Sequence, residues 1–173
     1  MKTLSKKGGN NLNKSIKIAE LLQENGRLTE HQIASILGIS EEEVKSTIKE
    51  LENKKVILKY SALIDWEKIN REVVTALIDV KVTPQQELGF NAIAHKICQF
   101  EEVKSVSLIS GTYDLSVEVE GKTMKEIALF VAEKLAPIDG VLSTTTHFIL
   151  KRYKEDGVLY EENQDDKRLV IVP

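Results

Sequence analysis

Leu12, Ile16, Ala19 and Leu22 recur at spacings of four, three and three, and Ile18 and Leu21 widen the stripe. That period predicts an amphipathic helix. Asn25-Gly26 supplies its stop, since both residues tolerate the left-handed conformation at a helix end. Thr29 followed by Gln32 has the form of a capping box, opening a second helix whose apolar positions are Ile33, Ala34, Ile36 and Leu37, with Gly38 as its stop. Ser40 and Glu43 repeat that form ahead of a third helix, on which Val44, Ile48 and Leu51 share one face. Only Gly38-Ile39 separates these two helices. Gly38 permits a sharp bend, and Ile39 is apolar where a plain loop would be polar, so it reads as a plug beneath the turn. This order predicts a helix-turn-helix, whose second helix enters the major groove of DNA; a plain helical bundle is the competing reading. Residues 56–65 are rich in β-forming residues and predict a wing strand running into a connector.

Further along, residues 73–82 read as a strand, and Pro84 suits the first turn of a following helix. Leu88, Ala92, Ile93, Ile97 and Phe100 form that helix's buried face. Residues 103–109 predict a second strand, 110–113 a turn, and 115–120, which alternate cleanly, a third strand. Residues 124–135 are helical, with Ile127, Val131 and Leu135 at spacing four; 137–140 break the helix, and 141–150 form a fourth strand. The order βαββαβ is the ferredoxin-like motif. Two helices cover only one face of such a sheet. In the fourth strand Thr144, Thr146, Phe148 and Leu150 share one face and Ser143, Thr145, His147 and Ile149 the other; neither is purely polar. The uncovered face is therefore expected to be apolar and to drive self-association. The fold class is α+β: a winged helix-turn-helix domain over 1–60, a linker over 61–72, a ferredoxin-like domain over 73–153 and a charged, solvated extension over 154–173. Within that extension, residues 169–172 are a candidate last strand on a sheet edge.

Composition narrows the function classes. Of 173 residues, 29% are charged and 42% hydrophobic, the mix of a globular protein. No apolar run approaches the roughly 20 residues of a membrane helix, and the basic, polar start lacks the apolar region of a secretory signal. The single cysteine, Cys98, forms no internal disulfide and reads as a small apolar filler on the second domain's first helix. The expected location is the cytoplasm. Net charge is −3, which is unusual for a nucleic-acid binder, but its distribution is uneven. Residues 1–60 carry 11 Lys and Arg against 8 Asp and Glu, whereas 61–173 carry 13 against 19.

On the third helix, Glu42, Ser46, Lys49 and Asn53 lie opposite Val44, Ile48 and Leu51, with Lys45 at the flank. Lys45 and Lys49 are suited to phosphates and Ser46 to base edges. Thr47 and Gln32 are candidates for contacts to the DNA backbone, with Ser40 at the helix start. Lys2, Lys6, Lys7 and Lys14 are further candidate contacts from an N-terminal arm, or merely solvated. Glu41, Glu42 and Glu43 suit the positive helix N-terminus, yet that end points into the groove. One carboxylate accepts from a cytosine amino group; three cannot, so at least two are expected to face solvent or cap the helix. Phosphate neutralisation per subunit is modest, so tight binding requires several subunits on one DNA.

Residues 18–27 (Ile-Ala-Glu-Leu-Leu-Gln-Glu-Asn-Gly-Arg), Ile33-Ala34, Leu37-Gly38-Ile39-Ser40, Val44, Leu51-Glu52, Val56-Ile57 and Tyr60-Ser61-Ala62-Leu63-Ile64-Asp65 together resemble the Lrp/AsnC family of bacterial and archaeal "feast/famine" regulators. The resemblance covers roughly residues 12–153. The acidic start of the third helix departs from the family's pattern. The resemblance implies a second domain (RAM-type) that dimerises sheet to sheet, with dimers assembling into octamers, and a small effector, typically an amino acid, bound between subunits near a Gly-x-x-Asp turn. Here that turn is Gly111-Thr112-Tyr113-Asp114: Gly111 lets backbone N–H groups approach a carboxylate, and Asp114 suits an α-ammonium group. The alternative is a simple hairpin turn in which Asp114 caps its own backbone. Leu108, Met124, Thr144, Thr146 and His147 fall near the family's effector pocket.

The expected partners are thus double-stranded DNA, an effector, and further copies of the chain, with no membrane. His31, His95 and His147 show no metal spacing with one another or with Cys98, and no catalytic residue or cofactor is expected. Siroheme decarboxylases share the domain plan but need a basic, histidine-rich pocket, which an acidic second half disfavours. An effector-binding oligomer whose DNA affinity is weak or lost is the other alternative.

Overall fold

The computed structural model describes residues 6–83 and 89–160, and divides the chain into two units that meet between Ile64 and Asp65. Pro84, Leu88 and residues 161–173, including the candidate strand at 169–172, lie outside the described residues.

The first unit holds α1 (Lys6–Glu24), α2 (Glu30–Leu37) and α3 (Glu41–Asn53). Its core is Ile18, Leu22, Ile33, Ala34, Val44 and Leu51, with Ile39 and Ile48 packed against them. The α1 stripe divides: Ile18 is wholly buried, but Leu12 and Ile16 are 65% and 49% exposed. Ile16 and Ile18 differ by about 200° around a helix, and only the second direction meets α2 and α3. The stop of α1 is not left-handed either. Asn25 and Gly26 keep negative φ, and the Asn25 side chain instead accepts from the Arg27 N–H at 3.0 Å. The helix elbow forms as the pattern predicts. The Thr29 box closes in both directions, Gly38 takes φ 65°, and Ile39 plugs the turn. The Ser40 box is half made: its Oγ accepts from the Glu43 N–H at 3.2 Å, while the Glu43 carboxylate turns to Lys14.

The predicted wing strand is not formed. Residues 57–65 pair with no strand, and none of the N–H groups from 58 to 65 finds a backbone acceptor among the described residues. β-propensity favours an extended chain, but a strand needs a ladder, and the described residues offer none here. The connector contains one 3-10 turn, Glu67–Ile69, beside Trp66, over whose ring the Arg71 guanidinium lies at 4.3 Å.

The second unit is an antiparallel sheet of β1 (Val74–Val82), β2 (Val103–Leu108), β3 (Leu115–Gly121) and β4 (Val141–Phe148), in the order β2-β3-β1-β4. The helices α4 (Gly89–Ile97) and α5 (Met124–Phe130) cover one face, the latter continued by a π-type turn at Val131–Leu135. Alternate residues Ala76, Ile78, Val80 and Val82 of β1 and Leu115, Val117 and Val119 of β3 join Ile93, Ile97, Ile127, Phe130 and Leu135 in one core. Gly140 takes φ 92° in the turn before β4, where a Cβ would stand 2.7 Å from Ile93 Cδ1. Cys98 is exposed just past α4, not the buried filler expected, because Ile97 takes the inward position.

The opposite, uncovered face is not the apolar surface expected. It presents Leu77, Asp79 and Lys81 from β1, Ser116, Glu118 and Glu120 from β3, and Thr145 and His147 from β4. The apolar alternate positions went inward under the helices. The extension is also more structured than expected. β5 (Lys154–Glu155) and β6 (Val158–Leu159) form a hairpin around Asp156 and Gly157, with φ of 46° and 82°. Two successive positive φ values mark the tight hairpin turn that Asp-Gly favours.

Candidate functional site

Two places carry chemistry. The first is the outer side of α3. Val44 and Leu51 anchor it inward, and Glu42, Lys45, Ser46, Lys49 and Asn53 are all exposed. A helix turns about 100° per residue, so these five form one solvent-facing stripe. The stripe mixes one carboxylate, two ammonium groups, a hydroxyl and an amide. The Ser46 hydroxyl also donates to the Glu43 carbonyl at 3.0 Å.

Thr47 does not belong to the stripe. It is buried, with its hydroxyl donating to the Glu43 carbonyl at 2.8 Å. That bond satisfies the hydroxyl locally and lets a polar side chain sit on the core face. Ser40 is exposed but works as the N-cap, and the Gln32 Oε1 accepts from the Thr29 N–H at 2.9 Å, leaving its amide NH2 for other partners. The three glutamates separate: Glu43 Oε1 is 2.5 Å from Lys14 Nζ, Glu41 Oε2 is 3.5 Å from His31 Nδ1, and Glu42 has no such partner among the described residues.

The second place is the turn from β2 to β3. Asp114 Oδ2 accepts from the Val82 N–H at 3.0 Å, and its Oδ1 lies 3.4 Å from Lys81 Nζ, which also donates to the Thr112 carbonyl at 2.8 Å. The carboxylate thus ties the turn to the end of β1. Among the described residues, the N–H groups of Gly111, Thr112 and Tyr113 donate no hydrogen bond. Gly111 has neither a positive φ nor an atom within 4 Å of a built Cβ, so the chain itself does not demand glycine there. The Tyr113 hydroxyl meets Thr145 Oγ1 at 2.6 Å.

The remaining expected effector residues do not converge within one chain. Thr144 and Thr146 pair with Val80 and Ile78 and share their helix-covered face. His147 lies on the other face, with Nε2 3.3 Å from Asp79 Oδ2. Leu108 and Met124 are exposed, on β2 and α5. Lys81 and Thr145 were not singled out from the sequence. The period-two alternation that puts Thr145 beside His147 was the available signal for one; only the sheet register reveals the other. Among the described residues no group of three His, Cys, Asp or Glu is placed to hold a metal ion, and no helix is long and apolar enough to cross a membrane.

Comparison with known proteins matches both places. Residues 14–52 match the family model for the AsnC-type helix-turn-helix domain, and 75–159 that for the Lrp/AsnC ligand binding domain. The HTH-type transcriptional regulator YugG of Bacillus subtilis is 52% identical over 161 residues, covering 92% of this chain and 97% of the relative. The HTH-type transcriptional regulator PF1231 of Pyrococcus furiosus is 33% identical over 133 residues, covering 77% and 87%. Among solved structures, a transcriptional regulator of Neisseria meningitidis in complex with L-Met superposes with a TM-score of 0.66 at 27% identity, covering 82% of this chain and 91% of that one.

Proposed function

The chain belongs to the Lrp/AsnC family of transcriptional regulators, and from that premise we propose that it binds duplex DNA sequence-specifically through α3 and adjusts that binding to a small effector, an amino acid by preference. It is a regulator with a helix-turn-helix domain and a ligand-binding domain. The observation that carries the proposal is the outward stripe of α3, held in place by a core face opposite it. Lys45 and Lys49 meet phosphates, and Ser46 and Asn53 reach base edges or sugar-phosphate oxygens.

On this reading the effector binds at the turn of residues 111–114. Its carboxylate takes the N–H groups of Gly111, Thr112 and Tyr113, which no group of the chain occupies among the described residues. Lys81 adds positive charge beside them. Because the Asp114 carboxylate already holds the Val82 N–H, the effector's ammonium group shares that carboxylate's remaining lone pairs or takes a partner from another copy. The L-Met bound to the Neisseria relative supports the amino-acid class.

The protein acts by binding, without catalysis or cofactor, in the cytoplasm. It acts as a homodimer that assembles further, to an octamer on the family's plan. The support for a dimer is the unpaired extended segment 57–65, whose Leu58, Tyr60, Leu63 and Ile64 are exposed; a second copy provides the missing ladder. The alternative of lost DNA affinity rested on the acidic start of α3, and with Glu43 paired to Lys14 it keeps Glu41 and Glu42 as support.

Selection of genomic fragments bound by the purified protein, with and without an amino-acid mixture, tests the proposal. Enriched fragments whose affinity moves with one amino acid are the expected result. Lys49→Ala with Ser46→Ala lowers affinity and, through Lys49, reduces the salt slope by about one, with oligomer size unchanged. Undiminished affinity in that variant, or a changed particle size in its place, contradicts the assignment of α3.

A further inference from the structure

The recognition helix opens with three carboxylates beside a polyanion, a costly arrangement unless each has a use. The structure separates their roles. Lys14 on α1 holds Glu43 at 2.5 Å, and Glu41, with His31 of α2 3.5 Å away, stands about 100° round the helix from Glu42. Glu42 is left exposed, with no ion pair or hydrogen bond among the described residues, at the head of the stripe that continues through Lys45, Ser46 and Lys49. The first turn of such a helix is the part that reaches base edges.

An ionised carboxylate only accepts hydrogen bonds. In the major groove, guanine offers two acceptors and thymine an acceptor and a methyl group, so both repel it or leave it unpaired. Adenine offers an amino group, but beside the N7 acceptor, which repels the second carboxylate oxygen. Cytosine offers its amino group with no acceptor alongside it in the groove. We infer that Glu42 is a specificity-determining residue that selects cytosine at one position of each half-site, while Lys14 holds Glu43 aside and the turn of the helix directs Glu41 away from the stripe. The inference rests on the regulator reading and adds the base read.

The test uses the full-length protein on duplexes derived from its selected fragments, with each position varied through all four base pairs. For the unaltered chain, one position per half-site prefers cytosine by about tenfold. In Glu42→Gln that preference moves to adenine, because an amide both donates to N7 and accepts from N6. The other positions and the salt slope stay as they were, since a base contact displaces no phosphate counterions. Uniform tightening on every duplex, with no position changed, means that Glu42 only repels phosphates and overturns the inference. So does an unaltered protein that binds its fragments with no cytosine position. If the unaltered protein selects no fragment, the regulator reading fails first and takes this inference with it.

Discussion

Single residues decide more here than their chemical class suggests. Gly38 and Gly140 both take positive φ, yet their surroundings differ: nothing lies within 4 Å of a Cβ on Gly38, whereas one on Gly140 would stand 2.7 Å from Ile93 Cδ1. Gly38→Ala therefore costs only the backbone strain, about 1 kcal/mol, while Gly140→Ala adds overpacking and costs about 2–4 kcal/mol. Urea unfolding of the two variants checks the ranking, and equal midpoints would refute it. Thr47 shows why a residue's place is hard to read from its type. The wheel puts it at the flank of the face that Leu51 and Val44 share, but a hydroxyl reads as polar until its partner, the Glu43 carbonyl one turn back, is known. Asp114 was legible as an important acid. That its carboxylate holds the Val82 N–H depends on sheet register, which no local pattern states.

At the level of elements, what was legible was what is local. Caps, glycine stops and the two hydrophobic periods lie within a few residues of the structure they specify, so the three helices and the βαββαβ order followed from them. Where a distant partner intervenes, the local reading fails: Lys14 takes the side chain of Glu43 out of its capping box, and the wing strand has no neighbour to pair with. The β5–β6 hairpin was missed because its surroundings are highly charged, although Asp156-Gly157 was a readable turn signal. That hairpin carries a pH dependence. The Tyr160 hydroxyl donates to Glu155 at 2.6 Å, and this bond first, burial and the Glu155 and Asp65 charges after it, push the phenol up to about 12, against the opposing Arg152. A pKa raised on folding stabilises below the unfolded value, near 10, and the stabilisation is lost as pH rises toward 12. Amide exchange or the ultraviolet titration of Tyr160 should show the hairpin loosening between these limits, and Tyr160→Phe should abolish that step. A phenol titrating near 10 in the intact protein contradicts the account.

At the scale of the whole molecule, one copy leaves apolar side chains exposed. The segment from 57 to 65 has β-forming side chains, its N–H groups from 58 onward have no backbone acceptor among the described residues, and Leu58 is 81% exposed. If a second copy supplies the ladder, Leu58→Asp shifts sedimentation toward monomer at micromolar concentration while leaving the unfolding of each unit unchanged, because Leu58 touches little within its own chain. An unaltered sedimentation profile would remove the segment from the interface. The uncovered sheet is a surface of a different kind. Asp79 lies 3.3 Å from His147, Glu118 3.5 Å from Arg152, and Glu120 3.6 Å from Lys104. Two of these three acids thus have a cationic neighbour, so although the rear of the chain is rich in acid, this face is not uniformly negative. Whatever settles on it is selected at close quarters, by fit.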